Sequence, residues 1–189
     1  MINLRDSRWT FGTSSGGEVP VAEVVTSGGM LVLQDQAKLA HRFAYHGLGI
    51  SVGVPVSRFL PKVVLPKIVI NGKYIGATGA TTDFPSGGVV YATSTTRAEL
   101  TTHDFEGGAI FLELGAGLLF GGSVTAIFTG VSEYMEQVGC IFPQFIGAAL
   151  STARATIFMY GANEGLQESI GVGLMFGQIT YKGLYSDDE

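Results

Sequence analysis

The chain has 189 residues, of which 14% are charged and 28 are glycine, against about a quarter charged and about 7% glycine in ordinary soluble domains. With 46% hydrophobic residues, six prolines and no three-residue glycine period, it is neither disordered nor collagen-like. A net charge of −5 without a basic run argues against a nucleic-acid partner, and the single cysteine, Cys140, excludes a disulfide framework.

Residues 1–18 read as a polar, glycine-punctuated lead-in, with no apolar stretch of signal-peptide length. The product is therefore expected in the cytoplasm, or outside the cell by a route that needs no cleaved signal. Short strands are expected over 19–25 and 30–33, with Gly28-Gly29 as the turn between them. Residues 41–56 alternate as a strand, and Pro55 discourages a helix there. The β-branched run 62–70 is a strand interrupted by Pro66. Asn71-Gly72 is a strong hairpin signal, and 73–80 forms the return strand. A further strand is expected over 87–100, followed by a turn over 103–108.

The apolar stretch 109–131 is long enough to be a membrane-spanning helix, but its period is two. Leu112, Leu114, Ala116, Leu118, Phe120, Gly122, Val124, Ala126 and Phe128 share one face, while Glu113, Gly115, Gly117, Leu119, Gly121, Ser123, Thr125, Ile127 and Thr129 lie on the other, small or polar but for Leu119 and Ile127. Two strands separated by a Gly121-Gly122 turn fit better. Residues 132–139 suggest a short helix. Residues 145–160 fit either a helix or a strand, with a helix favoured at the start, and 170–180 return to a strand.

One glycine spelling occurs three times, at 47–53, 115–121 and 171–177, as G-x-G-[IL]-x-[VF]-G. In a strand it makes one face small and the other bulky, so that another backbone can approach or a sheet can curl. In a helix it supplies a small-xxx-small pair for packing in lipid. As a dinucleotide loop it has the wrong spacing and no β-α-β surroundings. The strand reading is preferred, and no cofactor is expected.

Charge is uneven. Nine of the eleven Lys and Arg precede residue 107, and residues 107–185 carry only seven charges. Such a segment must be buried, assembled or in contact with lipid. Titratable residues are correspondingly sparse. Glu99, His103, Asp104 and Glu106 form the one acid–base cluster, in which His103 with Glu99 or Glu106 would be the catalytic candidates. A polar loop accounts for the same residues. His41 and His46 share no face, and no metal-ligand set is recognisable. Cys140 is expected to be a buried structural thiol, and Arg154 to pair with Glu164 or Glu168 or reach solvent.

The expected fold is mostly β: one domain over 1–189, a single curled sheet or closed barrel with one or two short helices, whose glycine-rich apolar half is 107–185. The leading functional expectation is a non-enzymatic protein that associates with membrane lipid or with copies of itself. Gly115, Gly117, Leu118, Phe120, Gly121, Gly171, Gly173, Leu174, Phe176 and Gly177 would form that surface. The alternatives are a soluble barrel binding a hydrophobic small molecule, and a small barrel enzyme built on His103.

Overall fold

The computed structural model describes residues 2–21, 24–50, 68–70, 73–75, 88–113, 124–160 and 174–185. Ten strands lie within them: β1 (Ile2–Val21), β2 (Val24–Gln34), β3 (Ala40–Ile50), β4 (Ile68–Ile70), β5 (Lys73–Ile75), β6 (Val89–Thr93), β7 (Gly107–Glu113), β8 (Val124–Val131), β9 (Ala155–Tyr160) and β10 (Leu174–Leu184). Two short helices, α1 (Glu133–Ile141) and α2 (Ile146–Ser151), lie between β8 and β9.

Eight strands close into an antiparallel barrel in the order β1-β2-β3-β10-β7-β8-β9-β6 and back to β1. Closure depends on β1, which serves two neighbours along its length. Leu4 to Thr10 pair with β6, whereas Thr10 to Val21 pair with β2, and the register shifts near Asp6–Thr10 and Phe11–Thr13. Such irregularities bend a strand and increase its twist. A closed ring removes the unpaired edges that invite association between sheets. The β4–β5 hairpin hangs from the start of β1, with β4 parallel to it.

The wall is buried on both faces along β7, β8 and β9, which accounts for the scarcity of charge along these strands. Inward alternation places Ala109, Phe111, Ile127, Ala155, Ile157 and Met159 in the barrel core with Phe43, Tyr45, Met175 and Ile179. The opposite alternation places Ile110, Leu112, Ala126, Phe128 and Phe158 outside, under Ile146, Ala149 and Leu150 of α2. α1 reaches the wall at β7 and α2 reaches it at β8. Phe142 and Pro143 end α1, because the residue before a proline is pushed out of helical geometry.

The local patterns predicted much of this. The described parts of 109–131 are two strands, 145–160 is a helix followed by a strand, and Ile70 faces Lys73 in a hairpin. Asn71-Gly72 and Gly121-Gly122 themselves lie outside the described residues. Three expectations are corrected. Residues 2–18 of the lead-in belong to the twenty-residue strand β1. Gly28-Gly29 is no turn but lies inside β2, opposite Gly17 and Gly16. Residues 94–100 leave the sheet after β6 ends at Thr93.

Gly139, in the last turn of α1, faces α2. A methyl group there would lie 3.5 Å from the Ala149 methyl, an ordinary contact. Gly139→Ala should therefore raise stability by about 0.5–1 kcal/mol, because glycine loses more backbone freedom on folding. Urea unfolding of the two proteins side by side checks it.

Candidate functional site

Three groups of polar side chains stand out from this apolar framework. The first is the segment between β6 and β7. Leu100 and Phe105 turn into the barrel core, and the Trp9 indole donates to the Leu100 carbonyl at 2.8 Å. The segment thus acts as a stopper, and its carboxylates hold it in place. Glu99 Oε1 accepts from the Ser7 hydroxyl and from the Arg8 N–H at 3.0 and 3.1 Å. Desolvation pushes the Glu99 carboxyl up, but these donors, the Leu100 N–H and the Arg5 charge outweigh it and hold it below its ordinary value. Asp104 accepts from the N–H and hydroxyl of Thr101, capping a single 3-10 turn at Thr102–Asp104. Glu106 Oε1 accepts from the Tyr181 N–H of β10 at 3.0 Å, while its Oε2 lies 3.1 Å from His103 Nδ1. The His103 side chain is 84% exposed. His103 and Glu106 therefore meet at the surface, whereas Glu99 is engaged with β1. Arg154 faces Asp104 at 3.9 Å across the same region; its expected partners Glu164 and Glu168 lie outside the described residues.

The second group was not visible in the sequence. Asp35, in the β2–β3 turn, accepts from the Ala37 and Leu39 N–H groups through Oδ1, which leaves Oδ2 3.3 Å from His41 Nε2. His41 Nδ1 lies 3.0 Å from the Tyr181 hydroxyl, and Trp9 packs against the imidazole at a tilt of 44° with ring centroids 5.0 Å apart. Desolvation raises the Asp35 carboxyl, but the Leu39 N–H, His41 and the Ala37 N–H together hold it below its ordinary value. The result is a carboxylate–imidazole–phenol chain tying three strand ends together. Nothing in the spacing connects residues 41 and 181, which meet only because β3 pairs with β10.

The third group lies on α1. Glu136 is 9% exposed, seated over Gly108 of β7 with the Gly177 N–H donating to it. Burial and the Glu133 charge push its carboxyl up to about 7. Cys140, expected to be buried, is exposed; partial burial and the Glu136 charge nevertheless raise its thiol above the usual value. Tyr134, Ile141, Phe142 and Phe145 are also exposed around this helical pair.

Of the expected lipid or assembly surface, Leu174, Phe176 and Gly177 lie among the described residues. Gly115, Gly117, Leu118, Phe120, Gly121, Gly171 and Gly173 lie outside the described residues. Phe176 is covered within the outer cluster, with Leu174 packed against it. Gly177 sits directly opposite Gly47, so the first and third copies of the glycine spelling are cross-strand neighbours. Ser27, Gly47, Gly177 and Ala109 form one row of small residues across β2, β3, β10 and β7. A side chain at Gly47 would meet the Met175 thioether at 2.9 Å, and one at Gly177 would strike the His46 carbonyl.

Among the described residues no helix is long and apolar enough to cross a membrane, and no three His, Cys, Asp or Glu side chains gather as metal ligands. No family model and no solved structure matches the chain. It is, however, 31% identical over 189 residues to toxin protein Tse4 of Pseudomonas aeruginosa, covering 94% of this chain and 96% of that protein. The chain belongs to the Tse4 family. Its kinship with Tse4 runs through nearly the whole chain rather than a shared segment. Membership of the Tse4 family overturns the leading expectation of a membrane-associating or self-assembling protein, and with it the alternative of a ligand-binding barrel. The first took the low charge as a sign of assembly or lipid contact, the second took a closed barrel to enclose a cavity. Among the described residues the structure favours the remaining reading of that low charge, burial: the wall is covered on both faces, with the barrel core filled by side chains such as Phe43, Phe111 and Ile157.

Proposed function

We propose that this protein is a toxin, one that harms a cell it reaches and whose working place is outside the cell that makes it. A single observation carries this reading: the likeness to toxin protein Tse4 along almost the full length of both chains. Likeness over the whole length bears on the activity of the folded barrel rather than on one module of it.

Induced expression in a bacterial host tests the reading. One form should stay in the cytosol and a second should carry an added export signal. Viable counts should fall sharply with at least one form relative to an empty vector. If both forms accumulate as folded protein and growth matches the vector control, the reading fails.

A further inference from the structure

Glu136 stands where α1 meets the barrel wall, a position that the surrounding packing would fill with an apolar side chain. Ile110, Leu112, Ala126 and Phe128 form the wall nearby, and Val131 closes it. The carboxyl fits because Gly108 has no side chain: a Cβ there would run into Glu136 Oε2 and the Val131 carbonyl. β10 supplies one hydrogen bond from the Gly177 N–H. Among the described residues one donor and no cation stand beside it, and a buried carboxylate so placed is costly, whereas the neutral acid is not.

The charged and titratable groups around it do not compensate. On its own helix, Glu133 repels it, and Cys140 is a thiol that stays neutral through the neutral range. From β7 it meets Gly108. From β10 it meets Gly177, whose neighbour Gln178 is uncharged. α2 presents Ile146 and Ala149 to α1, neither of them titratable. His46 is exposed on β3, paired with Gln178 one strand further away. α1 is joined to the wall mainly along β7, so this one carboxyl sits at the main seam between the helical pair and the barrel.

We propose that α1–α2 is a pH-sensitive cover latched by Glu136: with the carboxyl protonated the helices close on the outer wall of β7 and β8, and ionisation loosens them. The sign follows from the direction of the shift. Closing over the carboxyl raises its proton affinity from the ordinary 4.5 to about 7. The closed state therefore holds the proton more tightly than the open one, and its advantage shrinks as pH rises between those values. Loosening would uncover Ile110, Leu112, Ala126 and Phe128 while the barrel ring stayed paired.

Amide hydrogen exchange on the full chain at pH 5.5 and pH 8.5, corrected for intrinsic rates, tests this. The amides of α1 should lose about tenfold or more in protection at the higher pH while those of β7 and β8 keep theirs; a tenfold change corresponds to about 1.4 kcal/mol. Glu136→Gln should abolish the difference, and His46→Gln should leave it in place. Equal α1 protection at both pH values in the wild type would overturn the proposal, as would an unchanged pH response in Glu136→Gln. If that variant fails to fold, carbon-13 titration of the wild-type Glu136 carboxyl decides: a midpoint near that of a free glutamate refutes the latch.

Discussion

Trp9→Ala is expected to cost about 3–5 kcal/mol of folding stability, the range for emptying a large aromatic site in a packed core. Trp9 is 5% exposed, and its ring lies 4.9 Å from Phe105 and 6.5 Å from Phe43. Its loss also removes the indole donor to the Leu100 carbonyl, the bond that draws the stopper segment onto the barrel. An unsatisfied buried carbonyl adds about 1–3 kcal/mol where water cannot replace the donor. Against a total stability of about 5–15 kcal/mol, such a loss brings the variant close to unfolding. Trp9→Phe, which keeps most of the ring but not the donor, should fall between the two. Guanidinium unfolding followed by far-ultraviolet circular dichroism reads all three proteins, since the wild type has one tryptophan and the variants have none. A Trp9→Ala midpoint equal to that of the wild type would show that the stopper is not anchored there.

Gly177→Ala is the second large effect, and it arises from the backbone. The added methyl would collide with the His46 carbonyl and lie 2.7 Å from the Gly47 Cα, so no side chain can swing aside to relieve it. β10 and β3 must separate locally, and the ring then loses pairing at one of its eight seams. Overpacking typically costs about 1–3 kcal/mol where side chains can adjust, and a backbone collision belongs at or above the upper end. At about 2–4 °C per kcal/mol for a chain of this size, Tm should fall by roughly 6–12 °C. Gly139→Ala is the matched control, the same substitution with the opposite expected sign. Should Gly177→Ala melt with the wild type, the glycine row would have no part in closing the barrel.

The legible parts of the fold were those fixed by local pattern. Period-two alternation identified β7 and β8, and Pro143 with the following alanines marked the helix that precedes β9. What stayed hidden was set by pairing between distant segments. Nothing local shows that the glycines at 16–17 face those at 28–29, or that Gly47 faces Gly177. Those contacts turned an apparent lead-in and an apparent turn into barrel wall. The same distance effect hid the contacts of His41 with Tyr181 and of Arg154 with Asp104, and the seat of Glu136 on Gly108. Cys140 misled for another reason: its apolar neighbours Ile141 and Phe142 are themselves exposed at the end of α1. The Glu99–Glu106 cluster was legible as a group, but its carboxylates serve the stopper, a role visible only once β1 and β10 are in place.

The central claim is that the closed barrel, as a folded unit, is the toxin. Viable counts after induced expression of the wild type, Gly139→Ala and Gly177→Ala in one host test it most directly. The account predicts that the wild type and Gly139→Ala reduce viability alike, and that Gly177→Ala loses the effect in step with its loss of folded protein. Killing by a demonstrably unfolded Gly177→Ala, or harmless accumulation of folded wild type, would contradict it.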